Sequence, residues 1–353
     1  MPAKRNKNDS LQAKVINISH GDGGLKTGEL INRFILKYLK NEILEKLEDS
    51  ASLYIEAKNI AFTTDSFVVE PIFFPGGDIG KLSICGTVND LATTGCTPFV
   101  LSLSLILEEG FPLKDLEKIL ISIRKTIQEV NLSNNGVDLR IVTGDTKVVP
   151  KGFADKIFIN TSGIGLNQSN IEISPSKIKV NDSILINGGI GEHGLAILSQ
   201  RKEFNFKTGL VSDCAPLNSL VNDICKASNK IHAMRDATRG GLARVLIEMA
   251  QASKTTLEID KAKIPIKKEV RGLCEFLGMD PLYIANEGKM VIFVESKDAE
   301  KVLEAMKKNK YGKDCQIIGK VVKKGQSIVV LNTEIGTKRI LDLHYSEQLP
   351  RIC

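Results

Sequence analysis

Strand and helix periodicities alternate along almost the whole chain, and that alternation leaves only mixed α/β or α+β architectures open. The clearest strand signal is Val100 to Leu107, where Leu101, Leu103, Leu105 and Leu107 alternate with Ser102, Ser104 and Ile106 at period two. Ala61 to Val69 reads as a second strand. Between them, Ile84, Val88 and Leu91 recur at i, i+4 and i+7, which predicts a short helix. Glu29 to Asp49 places Ile31, Ile35, Tyr38 and Leu39 on one face and predicts an amphipathic helix. A longer helix is expected over Leu113 to Val130, with strands near Leu139 to Val142 and Lys156 to Asn160.

The chain turns polar around Asn167 to Lys179 and carries Pro175, so a domain boundary is expected there. A strand restarts at Ser183 to Asn187, followed by helices near 193–203, 216–231 and 239–253. Strands near 256–260, 289–295, 316–322 and 328–331 surround a further helix at 297–308. The final LDLHYSEQLPRIC has little power to bury itself and reads as a flexible tail.

Composition removes several function classes. The longest uncharged stretch, Leu91 to Leu107, has 17 residues and holds Gly95, Pro98, two serines and three threonines, short of a membrane span. The leader MPAKRNKNDS is basic but opens no apolar secretory segment, so a soluble cytoplasmic protein is expected. Aromatics are 5% with no tryptophan, which argues against a nucleic-acid surface despite the net charge of +6. Seven dispersed cysteines without a C-x-x-C pair suggest neither a disulfide framework nor a zinc knuckle.

What stands out is a set of acids embedded in small residues: TTDSF (Asp65), PGGDIG (Asp78), VNDLATTG (Asp90), VTGDTK (Asp145), MRDATRGG (Asp236) and ANEGK (Glu287). Hard oxygen ligands on loops suit Mg²⁺ and a polyphosphate, and neighbouring glycines let backbone N–H groups approach phosphate oxygens. The bland reading of any single one is a helix cap or Asx-turn. No G-x-x-x-x-G-K-[ST] loop is present. Gly189, Gly191 and Gly194 form G-x-G-x-x-G, with Asp213 near the spacing of a dinucleotide fingerprint. Ser212 and Asp213 look like a helix start instead, so a structural glycine turn is the stronger reading, with His193 a local hydrogen-bonder.

TTDSFVVEPIFFPGGDIGKLSICGTVNDLATTGCTP, IVTGDTKVV, MRDATRGGLARVLIEMA, DPLYIANEGK and the terminal PRIC together resemble the aminoimidazole ribonucleotide synthase (PurM-like) family of ATP-using enzymes, in its hydrogenase-maturation branch. The resemblance runs from about His20 to Cys353. The terminal PRIC separates it from selenophosphate synthetase, thiamine monophosphate kinase and the purine enzyme.

The resemblance implies an α/β plus α+β, two-domain PurM-like fold, whose N-terminal domain forms a shared β-barrel in a homodimer. It divides the chain into a basic leader (1–19), an N-terminal ATP-binding domain (20–170), a C-terminal α+β domain (171–340) and a flexible tail (341–353). By resemblance ATP and Mg²⁺ are the cofactors, with Asp65, Asp90, Asp145 and Glu287 as metal ligands. Asn89, Gly144, Asp236, Gly23 and Gly24 join the nucleotide site. Asp22 departs from the expected phosphate-covering segment, because an extra carboxylate beside triphosphate is unfavourable unless it faces metal or solvent.

The implied activity is ATP-dependent dehydration of an S-carbamoyl group on Cys353 to a thiocyanate, which supplies a cyanide ligand for the iron of [NiFe] hydrogenase. Lys147 and Glu287 are then the candidates for charge stabilisation and proton transfer, and Arg239 for phosphate contact. The bland reading of Lys147 is a solvated strand-end lysine. The implied partners are a HypF carbamoyltransferase and a HypC–HypD complex, with no nucleic acid and no membrane. Leu343 to Cys353 could span ~35 Å, enough for a carrier thiol to visit two sites. Two other functions stay open: an assembly scaffold with a vestigial ATP site, and an ATP-dependent small-molecule kinase or synthetase.

Overall fold

The computed structural model describes residues 15–48, 50–55, 59–167, 171–201, 208–342 and 351–353. Its helical start consists of α1 (Leu25–Leu30), a π-helical turn (Ile31–Ile35) and α2 (Leu36–Leu39). The helix expected to reach Asp49 stops ten residues earlier. Asn41 explains the stop: its Oδ1 accepts from the N–H groups of Ile43 and Leu44, and its Nδ2 donates to the Ile141 carbonyl at 2.7 Å. A short polar side chain has replaced the helical hydrogen bonds of that turn.

The first half continues through β1 (Ile60–Phe67), the small hairpin β2 (Phe73–Phe74) and β3 (Gly77–Asp78), then α3 (Ile79–Thr93). It ends with β4 (Thr97–Glu108), α4 (Leu113–Asn131), β5 (Arg140–Val149) and β6 (Ile157–Leu166). These strands form one sheet in the order β1-β6-β4-β5, antiparallel except for the parallel pair β4–β5. Leu101, Leu103, Leu105 and Leu107 of β4 face the core, as their alternation predicts. Helix α3 is buried nearly all round, packed on the sheet and against α4. Asp78 starts it, accepting from the N–H groups of Gly80 and Lys81 at 2.7 and 3.0 Å, so this acid is a helix cap.

The second half holds β7 (Ser183–Ile186), α5 (Glu192–Ser199), α6 (Asn218–Ala227), β8 (Ile231–Asp236), α7 (Gly241–Ser253) and β9 (Thr255–Asp260). It continues with α8 (Lys268–Leu277), β10 (Met290–Val294), α9 (Ala299–Lys308), β11 (Gln316–Lys324), β12 (Val329–Asn332) and β13 (Lys338–Ile340). Its sheet runs β13-β12-β9-β11-β7-β10-β8. The helix expected over 216–231 ends at Ala227, and Ile231–Asp236 becomes an edge strand on β10. Pairing buries His232, Ala233 and Met234 there, a tertiary gain that local periodicity does not carry.

Two terminal expectations change. Most of the leader lies outside the described residues, but Ile16 is fully buried and exchanges backbone bonds with Gly110 and Phe111. The tail is likewise undescribed over 343–350. Its last three residues are docked rather than loose, with Ile352 4% exposed in an apolar core built from both halves of the chain. Among the described residues no helix is long and apolar enough to cross a membrane.

Candidate active site

A cavity of about 610 Å³ opens where β1, α3, the end of β8 and the C-terminus meet, and Asp65, Asp90, Asp236, Arg239, Glu287 and Cys353 all line it. Each comes from a different element. Asp65 projects from β1 and is half-buried. Gly86 on α3 makes room for it, since a Cβ there would lie 2.9 Å from the Phe67 ring and 3.5 Å from Asp65 Oδ2. One turn further along α3, Asp90 accepts a hydrogen bond from Thr63 Oγ1 at 2.8 Å. Asp236 closes β8, and Arg239 follows in the turn before α7.

The carboxyls repel one another in a site that water only partly reaches. Burial, then the charge of Asp90, pushes Asp65 up to about 6, against the pull of Arg239. Burial and the same neighbour raise Asp236 to about 7. Asp90 is raised by burial, opposed by Thr63 and the two arginines Arg235 and Arg239. Glu287 is 3% exposed and its carboxyl is pushed well above the ordinary range, first by burial and then by Cys214, Asp236 and Asp213. Its Oε1 is buried with no hydrogen-bond partner among the described residues. A buried oxygen in that position calls for a cation or a proton.

Cys353 enters this cavity on a docked strap. The Val68 N–H donates to the Cys353 carbonyl and the Glu70 N–H to the Arg351 carbonyl, both at 3.1 Å, so the tail is tied by its main chain beside the chain leaving β1. Arg351 donates to the Val68 carbonyl and pairs with Asp155 at 2.6 Å. The thiol bearer is thereby placed among the acids.

The other residues singled out from sequence fall elsewhere. Asn89 lies behind the cavity: Oδ1 accepts from the Leu217 N–H at 2.8 Å, and Nδ2 donates to the carbonyls of Ala215 and Glu287. It ties α3 to the Glu287 loop instead of facing a ligand. Gly23, Gly144, Asp145 and Lys147 line a second pocket of about 200 Å³ between the glycine-rich loop and β5. Lys147 Nζ sits 2.8 Å from Asp145 Oδ1, and both side chains are more than half exposed. This pairing holds Asp145 below the usual carboxylate range. The Gly24 N–H donates to Asp22 Oδ1 at 2.8 Å, so Asp22 completes the loop's own turn. Gly144 also has a packing reason, because a Cβ would stand 2.3 Å from the Leu103 carbonyl oxygen on β4.

The four expected metal ligands therefore do not converge within one chain. β1 and β5 are opposite edges of the four-stranded sheet, about 14 Å apart at normal strand spacing, which separates Asp145 from Asp65. Among the described residues no three His, Cys, Asp or Glu side chains are grouped closely enough to hold a metal ion.

Three features of the site were missed from sequence. Arg235 and Arg244 line the cavity rim, both held by Glu248 at 3.0 and 2.8 Å. Arg235 adjoins Asp236 in MRDATRGG, and that adjacency was the available signal. Asp213 pairs with Lys289 at 3.0 Å and accepts from the N–H groups of Glu287 and Gly288, so it fixes the Glu287 backbone. The G-x-G-x-x-G segment, by contrast, is the structural turn expected from sequence, with Gly191 at φ +85° ahead of α5, whereas Ser212 and Asp213, expected to start a helix, lie in the loop before α6.

This sequence and fold have clear kin. Residues 47–167 match the AIR synthase related protein N-terminal domain, and residues 179–332 match its C-terminal domain. The chain belongs to the AIR synthase related, PurM-like family. Carbamoyl dehydratase HypE of Escherichia coli is 43% identical over 344 residues, covering 96% of this chain and 99% of that one. A crystal structure of the hydrogenase maturation protein HypE in complex with ATP superposes with a TM-score of 0.89 at 41% identity, over 96% of this chain and 99% of that one. A HypE–HypF complex structure matches with a TM-score of 0.77 at 46% identity, over 89% of this chain and 99% of that one. Near-complete coverage at this identity places the chain in the HypE group of the family.

Proposed function

We propose that this protein is an ATP-dependent carbamoyl dehydratase that converts a carbamoyl group on its own Cys353 into a thiocyanate. The observation that carries the reading is the position of Cys353, on the wall of the same cavity as Asp65, Asp90, Asp236, Arg239 and Glu287. A terminal thiol docked among ATP-type acids has the geometry of a tethered substrate. HypE relatives named carbamoyl dehydratase, and one crystallised with ATP, support the same reading.

The reaction starts from S–C(=O)–NH₂. The carbamoyl oxygen takes the γ-phosphoryl group and ADP leaves, which turns a poor leaving group into a good one. Loss of one proton from nitrogen accompanies this step. Loss of the second, with cleavage of the C–O bond and departure of phosphate, forms the C≡N triple bond. Arg239 lines the cavity where negative charge develops. Glu287 is the carboxyl placed to exchange the nitrogen protons; excluded from water, it is a strong base once ionised.

The donor set fits Mg²⁺, since Asp65, Asp90 and Glu287 offer only oxygens and Glu287 Oε1 is unsatisfied. Two or three carboxylates with phosphate oxygens are an ordinary magnesium environment, so these acids need not form a closed cage. Bound there, the ion would neutralise the phosphates and the acids that now repel one another.

Lys147 and Asp145 belong to this reading only through a second subunit, and we assign them to the half-site that a homodimer would supply. The sheet face bearing them supports this: Ser102, Ser104, Asn160 and Ser162 are polar and partly accessible, while Phe62 is 68% exposed. A HypF-type carbamoyltransferase would load the thiol, and a HypC–HypD complex would accept cyanide for the iron of [NiFe] hydrogenase. A HypE–HypF complex among the related structures supports the first partner.

Intact mass after incubation with a carbamoyltransferase, carbamoyl phosphate, ATP and Mg²⁺ tests the proposal. The expected result is a carbamoyl adduct that then loses one water, only with Cys353 present and only with hydrolysable ATP. An adduct that never loses water, or ATP turnover unaffected by Cys353→Ala, would overturn it.

A further inference from the structure

His193 is fully buried at the start of α5, and both of its ring nitrogens are engaged. Nδ1 lies 2.7 Å from Ser212 Oγ and Nε2 lies 2.6 Å from the carbonyl oxygen of Ile352, the residue before the terminal cysteine. The network fixes the tautomer. Ser212 Oγ already accepts from the Cys214 N–H at 3.1 Å, so its hydroxyl proton is available to Nδ1. A carbonyl can only accept, which leaves the proton on Nε2 donating to Ile352. Burial holds His193 below the ordinary histidine range, in keeping with a neutral ring.

The ring is held from both halves of the chain. Phe74 of the β2–β3 hairpin meets it edge-on at 5.6 Å between centroids. The Ser212 N–H donates to the Pro75 carbonyl at 2.8 Å, and Gly76 permits that approach, since a Cβ there would stand 2.7 Å from the Ser212 carbonyl oxygen. The next residue, Asp213, accepts from the Glu287 N–H at 3.1 Å. One dipeptide thus braces the histidine that grips the strap and also the carboxylate it is delivered to.

We propose that His193 is a positioning residue for Cys353: through Ile352 it sets whether the carrier thiol stands in the cavity, and Ser212–Asp213 couples that docked position to Glu287. The coupling rests on the carrier role proposed for Cys353, whereas the grip on the strap does not. Removing the Nε2 donor strands a buried carbonyl beside Ile352, which weakens docking. Loading by a carbamoyltransferase reads the undocked strap and is not slowed by that loss. Dehydration reads the docked strap and is.

The test uses the full-length protein and two readouts. The first is the rate at which iodoacetamide modifies Cys353, followed on the C-terminal peptide by mass. His193→Leu should raise that rate about tenfold, as expected when a buried hydrogen bond is lost. His193→Gln, which places an amide donor near the Nε2 position, should restore the slow rate. His193→Asn reaches only the Nδ1 position and should behave like the leucine variant. The second readout is loss of water from carbamoyl-Cys353, which should slow in His193→Leu and recover in His193→Gln at an unchanged ATP affinity.

Equal alkylation rates in the wild type, His193→Gln and His193→Asn would overturn the proposal. Should His193→Leu fail to fold, the glutamine–asparagine contrast and Ser212→Ala, expected to loosen the strap in the same direction, decide it alone. If no carbamoyl adduct forms on Cys353, the carrier reading fails while the alkylation contrast still judges the grip.

Discussion

Glu287 differs from the other cavity acids in being almost wholly cut off from water. A glutamine there keeps the shape and removes the exchangeable carboxyl. Glu287→Gln should leave carbamoylation of Cys353 intact and slow the subsequent loss of water by at least about 100-fold in single turnover; an unchanged rate would assign the base elsewhere. Asp65 makes the opposite point about stability. Its folded pKa, about 6, is above its ordinary value of 3.8, so folding is opposed at any pH where the group must ionise against its neighbours. In the absence of divalent cation, Asp65→Asn should raise the thermal midpoint by about 1–3 °C at pH 8. The gain should fade as the pH falls through about 6 and vanish only below 3.8, where the wild-type carboxyl is protonated in both states; a gain that grew on acidification would contradict this sign. The acids of the cavity were legible because each sits among small residues near an element's end or beside glycine. Asp78 has the same local sequence character and is a cap, and no local pattern separates the two cases.

At the scale of elements, Gly86 sets how closely α3 and β1 approach, and hence how near Asp65 comes to Asp90 on the same helix. Gly86→Ala forces its Cβ against the Phe67 ring and should cost about 1–3 kcal/mol of unfolding free energy, measured by urea denaturation. A neutral effect would mean that β1 yields easily. Most strands and helices were readable from periodicity, β4 and α4 above all, since burial and sequence pattern coincide in them. Some features were not. Asn41 ends the first helix by a side-chain contact to Ile141, a hundred residues away. β8 depends on its pairing with β10. α8 buries only Val270 and Cys274 and carries Gly272, too thin an apolar face to announce itself. The separation of Lys147 from Glu287 belongs here too, because it follows from strand order, which periodicity does not encode.

The largest apolar core does not respect the expected boundary near Asn167 to Lys179. It runs from Leu101 and Ile119 in the first half to Leu198, Leu210 and Cys274 in the second, and takes in Ile352. Heat or denaturant should therefore unfold the protein in one cooperative transition, and a fragment ending at residue 167 should fail to give a stable fold by circular dichroism. Two resolved transitions in calorimetry would show that the halves are independent. At this scale sequence pattern announces two sheets, and only the tertiary arrangement reveals that they share an interior.

The main-chain bonds from Val68 and Glu70 to the last three residues act on backbone atoms, so the berth does not read what the terminal sulfur carries. Under the proposed reaction the reactant is then presented at a local concentration fixed by the length of the strap, in the millimolar range typical of short tethers. Turnover becomes a first-order event within one molecule, indifferent to dilution. A free thiocarbamate would have to reach comparable concentrations to compete for the same place.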